Sequence, residues 1–264
     1  MQNNKEKYVL ITGGTSGIGL ELAKLFAKDG YNLVIVARDR SDLVLSEQVI
    51  RGVSNVKIVT ISKDLFQKNA AFELFETVEA GGYNIEILVN DAGQGLYGRF
   101  IETDIERELD IIQLNISSLV VLTKLFLKKM VARNEGRILN VSSVASKTPG
   151  PWQSVYHGTK AFVQSFSEAI REEVKETNVT ISTLLPGATD TDFFRKAGMM
   201  NAKIVVEGDL ADPADVAKDG YEALMSGKDM VVSGFKNKVQ VAMGNVIPDS
   251  VQAHQMAEQQ KDAE

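Results

Sequence analysis

The sequence predicts a doubly wound α/β fold, a seven-stranded parallel sheet with helices on both faces. Three observations carry that expectation. Short, nearly continuous β-branched runs recur along the chain, as strands buried on both faces require. Helix-length amphipathic stretches lie between them, which is the pattern of repeated βαβ units with right-handed crossovers. The first run leads straight into a glycine-rich turn and then a helix.

The strand candidates, in order, are "KYVLIT", "NLVIVA", "VKIVTI", "IEILVN", "GRILNV", "VTISTLL" and "DMVVSG". A helix over 17–29 aligns Ile18, Leu22, Leu25 and Phe26 on one stripe. A shorter helix is expected over 67–80, and long ones over 103–131 and 154–176. Residues 187–212 are a long connection late in the chain, of the kind that is usually functional or mobile. Residues 1–248 are read as one domain. The polar residues 249–264 are read as a frayed helix or a disordered tail.

The 264 residues fit one α/β domain, since such folds run to about 250 residues. With 29 basic and 35 acidic residues the net charge is −6, which offers no electrostatic footprint for nucleic acid or an anionic membrane. No cysteine is present, which excludes disulfides and thiol catalysis. His157 and His254 are the only histidines, too few for a multi-histidine metal site. The opening "MQNNKEKYVLIT" has no signal-peptide core. The apolar stretch "ISSLVVLTKLFLKKM" is interrupted by Lys124 and too short to span a bilayer. A cytoplasmic protein is the expectation.

"TGGTSGIG" at 12–19 joins the first strand to the first helix, with Gly13, Gly17 and Gly19 spaced G-x-x-x-G-x-G. Glycines allow a tight turn and let backbone N–H groups approach a pyrophosphate at the helix N-terminus. The rest of the turn, Thr15, Ser16 and Ile18, shares that approach. The end of the second strand selects the nucleotide. An acid there holds a ribose 2′-hydroxyl, and an arginine accommodates a 2′-phosphate. Here Ala37 occupies the acid's place and Arg38 follows, which favours NADP(H) over NAD(H). The alternative is that Asp39, one step on, serves the ribose. After the third strand, Asp64 and Leu65 are placed for the adenine, although Asp64 is equally a helix N-cap.

Ligands of open α/β sheets lie beyond the carboxyl ends of the strands. The later strands end in "NDAG" at 90–93, "NVSSVAS" at 140–146 and "PGATDT" at 186–191. Asn115 is a lone polar residue in "IIQLNISSLVV" and must find partners if buried. Tyr156 and Lys160 stand one helical turn apart in "SVYHGTKAF". Such a pair is either a surface tyrosine on a lysine stem or a proton-transfer pair.

Taken together, "TGGTSGIG", "NDAG", Asn115, "NVSS", "YHGTK" and "PGATDT" resemble the short-chain dehydrogenase/reductase family, over about residues 7–235. The likeness is to its common single-domain branch, with a Rossmann-type fold. One departure is Asp91, where the family usually has a second asparagine. The resemblance implies reversible hydride transfer between a nicotinamide and a carbonyl or alcohol. Tyr156 is then the general acid/base, and Lys160 lowers its pKa and holds the nicotinamide ribose. Ser143, thirteen residues ahead of Tyr156, binds the substrate oxygen, with Ser142 the alternative. Asn115 anchors a water that links Lys160 to solvent. Asn90 stiffens the central sheet beside the cofactor, and Ala92, Gly93, Pro186, Gly187, Thr189 and Thr191 complete the dinucleotide site. Thr191 is also a candidate helix cap. Association into a homodimer or homotetramer through the two long helices is implied as well.

Gln94, Leu96, Tyr97, Val144, Trp152, Phe193, Phe194, Met199 and Met200 are candidates for the substrate pocket. Most are apolar, which favours an uncharged, fairly hydrophobic carbonyl. His157 neighbours the tyrosine but is expected to face away, about 100° round the helix. Residues 192–210 are a candidate lid. Two rival readings stand beside the NADP(H) enzyme. One is an NAD(H)-dependent alcohol dehydrogenase, the other a nucleotide-sensing or scaffold protein without turnover.

Overall fold

The computed structural model describes residues 6–244 and 247–263. The seven expected strands are β1 (Lys7–Thr12), β2 (Asn32–Ala37), β3 (Ile58–Ser62), β4 (Asn84–Asn90), β5 (Gly136–Val141), β6 (Val179–Leu185) and β7 (Met230–Val232). All pair in parallel, in the order β3-β2-β1-β4-β5-β6-β7. The chain winds outward from β1 to β3, then returns to β4 on the other side of β1. That reversal opens a crevice at the carboxyl ends of β1 and β4.

Strand alternation feeds two cores. Val9, Ile11, Leu33 and Ile35 face α1 (Gly17–Lys28), α2 (Arg40–Arg51) and α9 (Pro213–Met225), against Leu22, Phe26, Leu43, Ile50 and Leu224. Leu10, Val34, Val36 and Leu88 face α3 (Ala70–Ala80), α5 (Leu119–Arg133) and α6 (Ser154–Glu173), against Leu74, Val78, Leu122, Phe126 and Ile170. Helices on both faces are what the continuous apolar strands require.

Several elements differ from the sequence reading. α2 and α9 are not among the expected helices. Val44 and Leu45 of α2 are 56% and 60% exposed, so its apolar residues do not trace a clean stripe. α3 starts at Ala70 rather than residue 67, because residues 64–67 form a turn closed on Asp64. The first long helix is continuous over Ile105–Arg133, the expected length shifted two residues along the chain, and is long and apolar enough, by length and composition alone, to cross a membrane. Its apolar residues Leu114, Leu119, Leu122, Phe126 and Met130 are instead buried inside the fold. Midway, between α4 (Ile105–Ile112) and α5, it widens into a π-helical segment, Gln113–Ser118, that carries Asn115.

The late connection folds into α7 (Phe193–Ala197) and α8 (Lys203–Val206), which share a small core of Phe194, Ala197, Met199 and Ala202. After α10 (Phe235–Gly244), residues 249–260, expected as a frayed or disordered tail, form α11 (Asp249–Gln260). This helix is held by amide bonds to backbone more than by apolar periodicity. Gln252 Nε2 donates to the Gly244 and Ile247 carbonyls at 2.9 and 2.8 Å.

Candidate active site

One cleft of about 440 Å3 runs across the carboxyl ends of the central strands. Its floor on one side is the glycine turn. Gly13 and Gly17 have φ of 74° and 52°, a region that side chains avoid. A Cβ on Gly13 would lie 3.0 Å from the Ala92 backbone, and one on Gly17 would lie 2.8 Å from Thr191 Cγ2. The turn is pinned from two sides. Gly13 N–H donates to Val36 O at 2.9 Å, and Thr12 Oγ1 accepts from the N–H groups of Asp91 and Ala92, both at 3.2 Å. Ser16 caps α1 in extended conformation with no side-chain bond to the first turn. Those N–H groups remain open to an anion, which is the donor set a pyrophosphate needs. The glycine cradle and the open helix end therefore fit a dinucleotide.

Thr15, Ser16, Ile18, Arg38, Asp64, Leu65, Ala92, Gly93, Pro186, Gly187, Thr189 and Thr191 also line the cleft. Asp64 turns one oxygen back to Phe66 N–H at 3.2 Å, so it closes a local turn rather than capping α3. Thr191 Oγ1 accepts from Phe193 N–H at 3.3 Å, the capping role, while its methyl group overhangs Gly17. Three expected contacts lie behind the lining. A Cβ on Gly19 would meet Gly13 O at 2.5 Å, so that glycine serves close packing under the turn. Asn90 is buried and donates to Thr123 Oγ1 and Asn140 Oδ1 at 3.0 and 2.9 Å. Asn140 continues the chain to Ser167 at 2.8 Å, which ties β4, β5, α5 and α6 together. Asn115 is buried too; its amide donates to Gln94 O and Thr159 Oγ1 at 2.9 and 3.0 Å and accepts from Gln94 N–H at 3.0 Å. It fastens the π-helical segment to the strand-end loop and to α6.

The proposed reacting groups meet beside the cradle. Ser142 donates to Lys160 O at 2.8 Å and is used up in structure. Ser143 lines the cleft with Tyr156; its hydroxyl donates to Pro186 O at 3.3 Å and accepts from Ala145 N–H at 3.1 Å. Lys160 Nζ donates to Val141 O at 2.8 Å and lies 5.8 Å from the centre of the Tyr156 ring. Burial pushes the Tyr156 phenol up to about 12, against the neighbouring Ser143 hydroxyl, which lowers it; the Asp91 charge raises it further. Lys160 is itself lowered to about 8 by burial, which Asp91 partly opposes. Asp91, the departure from the family pattern, sits against Gly13 and Gly19, where burial lifts its carboxyl to about 7 against the Lys160 charge and the Gly19 N–H.

Of the pocket candidates, Gln94, Val144, Phe193, Phe194 and Met199 line the cleft. Leu96 does not. Tyr97 and Trp152 stack on each other at 6.2 Å behind the lining, and Met200 is 53% exposed. His157, expected to face away, also lines the cleft, as do Gln153 at the start of α6 and Met256 and Gln260 of α11, none of which is a sequence candidate. Gln153, one turn ahead of Tyr156, had a positional signal; the α11 residues had none, since only the tertiary fold brings that helix back.

A model of the short chain dehydrogenase family matches residues 7–202. The chain belongs to the short-chain dehydrogenase/reductase family. It is 32% identical over 219 residues to a probable NADP-dependent dehydrogenase of Haemophilus influenzae, covering 81% of this chain and 85% of that one. A short-chain dehydrogenase from Sphingobium yanoikuyae in complex with NADPH superposes with a TM-score of 0.82 at 25% identity, covering 98% of each chain. A family structure from Burkholderia phymatum in complex with NAD shares the fold, with a TM-score of 0.80 at 20% identity over 100% of this chain and 99% of that one. This family member is an NAD(P)-dependent oxidoreductase on a single Rossmann-type domain. The glycine turn, Ser143, Tyr156 and Lys160 all line the one cleft.

Proposed function

We propose that the protein reduces an uncharged, largely apolar carbonyl compound with NADPH as the preferred hydride source. The observation that carries this reading is the convergence of Ser143, Tyr156 and Lys160 beside the glycine cradle within one cleft. The nicotinamide supplies the hydride. At neutral pH a phenol held near 12 carries its proton, the form that donates to a carbonyl oxygen. Ser143 holds that oxygen against the phenol. Lys160, near 8, is mostly protonated at pH 7 and stands ready to restore the phenolic proton.

Two features support NADP(H). Asp39 is spent at the N-terminus of α2, where it accepts from Ser41 N–H at 2.7 Å and Asp42 N–H at 3.2 Å. It is therefore a poor partner for a ribose. Arg38 is exposed at the cleft rim, with its guanidinium 5.6 Å over the Phe66 ring, and a planar cation so held suits a 2′-phosphate. The apolar lining from Val144, Phe193, Phe194 and Met199 supports a hydrophobic substrate. Exposed Ile105 and Leu109 on α4 and Phe162 on α6 support association of copies through the long helices. Titration with NADPH and NADH, followed by a panel of ketones and aldehydes read at the nicotinamide absorbance, tests the proposal. Tighter NADPH binding with ketone turnover is expected. Tighter NADH binding overturns the cofactor preference, and absence of turnover overturns the activity.

A further inference from the structure

The cradle that fits an anion also holds an acid. Asp91, directly after β4, is half-buried and lines the cleft together with Gly13 and Gly17. Its backbone is fixed, since its N–H donates to Thr12 Oγ1 at 3.2 Å. Its side chain lies against the glycine turn. Asp91 Oδ2 is 3.3 Å from where a Cβ on Gly13 would stand and 2.6 Å from one on Gly19. Lys160, whose charge it feels, makes no ion pair with it and donates instead to Val141 O at 2.8 Å.

Two anions at one helix end repel. The first turn of α1 carries about half a unit of positive charge and open N–H groups, which favour a single negative group. A pyrophosphate there and an ionised Asp91 beside it are like charges, and removal from bulk water strengthens their repulsion. A proton on Asp91 removes it. The neutral acid then offers an acceptor and a donor, as the amide of an asparagine would. That proton is within reach, because burial already holds the carboxyl to about 7. The titratable groups that face it are Lys160 and Tyr156, both from α6. The glycine turn and the π-helical segment carry none. Glu21 and Lys24 of α1 pair with each other at 2.6 Å, as do Lys7 and Glu86, toward the opposite ends of β1 and β4, at 2.7 Å. Asp192, next to the Thr191 that overhangs Gly17, pairs with Arg195 at 3.1 Å.

We propose that Asp91 links dinucleotide binding to the uptake of one proton from solvent, so that the cradle holds the pyrophosphate with Asp91 as the neutral acid. This rests on the reading of the glycine turn as the pyrophosphate cradle. Asp91 is here an affinity residue and touches no reacting atom. The sign follows from linkage. A bound anion raises the pKa of Asp91 above its value in the free chain. Binding is therefore tightest below the free-chain value and weakens as pH rises above it. An asparagine in this place stays neutral and confers no such dependence.

The test uses the full chain with NADH, which carries the pyrophosphate but lacks the 2′-phosphate that itself titrates near neutrality. Infrared difference spectra read the carboxyl directly. At about pH 8 the free chain holds Asp91 mostly as carboxylate. NADH should there bring up a protonated-carboxyl band and deplete a carboxylate band in the wild type, and do neither in Asp91→Asn. The wild-type spectrum needs no variant to fold. Affinity is read in a Lys160→Met background, because Lys160 titrates in the same range. Between about pH 7 and pH 9.5 NADH binding should weaken about tenfold with Asp91 in place and less than about twofold with Asp91→Asn. Melting checks that each variant folds. NADH binding with no gain of protonated carboxyl, or a pH profile that Asp91→Asn leaves unchanged, overturns this inference alone and leaves the cradle reading intact. No binding of NADH or NADPH overturns both.

Discussion

The dinucleotide half of the cleft and the substrate half are built differently. The dinucleotide half is made of strand ends and the first turn of α1, where backbone N–H groups and absent side chains do the recognising. Its shape follows from glycines at positive φ and from Thr12 pinning one turn to another. The other half is made of α7 and α8, which pack on a small core of their own, and of α11, whose end is tied to them by bonds such as Lys203 N–H to Lys261 O. On the proposed function, the first half would bind the constant part of the chemistry through main chain, and the second the variable part through side chains on late segments. Changes in the first half are therefore expected to act on the cofactor whatever the substrate, and changes in the second to act on substrate ratios.

The largest effect that sharpens this contrast is expected at Gly17. A valine there must adopt φ near 52° and place its Cβ against Thr191. A left-handed conformation costs roughly 1–2 kcal/mol before any clash, so NADPH affinity should drop about 10- to 100-fold, measured by fluorescence titration. Retained affinity would mean that the turn does not cradle the pyrophosphate. Next comes Arg38→Ala. Loss of one charge-assisted contact should weaken NADPH about tenfold and leave NADH nearly unchanged. Equal loss for both dinucleotides would remove Arg38 from 2′-phosphate recognition.

A third effect, read in stability rather than in affinity, concerns Asp91, whose carboxyl feels the Lys160 charge. In the unfolded chain its carboxyl titrates at its ordinary value of 3.8; in the fold it holds its proton up to about 7. Between those values the folded state binds more protons, so this group makes stability fall as pH rises from about 4 to about 7, with no further change above. Asp91→Asn removes that slope. The variant should match wild type near pH 4 and gain Tm progressively up to pH 7, by roughly 2–4 °C for each kcal/mol recovered. A Tm difference that does not vary with pH would show that Asp91 is not held protonated.

Sequence pattern made the fold and the dinucleotide half legible for a physical reason. β-branched strands and glycine turns are local signals, and Gly13, Gly17, Tyr156 and Lys160 each sit at a fixed offset from a strand end or a helix turn. Asn115 was legible as a buried polar residue and Asn90 through the family resemblance, but their partners Thr123, Asn140 and Thr159 are distant in sequence and become visible only in the fold. The α11 residues were not legible at all. A segment reading as a polar tail becomes a wall when Gln252 bonds backbone carbonyls and Gln260 meets His157, and no periodicity announces either contact. Burial around Tyr156 and Lys160, which raises the phenol and lowers the ammonium, is likewise something that sequence spacing does not report.

Tyr156→Phe tests the proton-donor assignment most directly. The substitution removes one oxygen from a ring packed 4.9 Å from Phe193 and leaves the cradle untouched. With a ketone that the wild type reduces, turnover should fall by about 10²- to 10⁴-fold, the usual worth of a positioned general acid, while NADPH still binds. Turnover equal to that of the wild type would contradict the assignment of Tyr156 as the group that protonates the substrate oxygen.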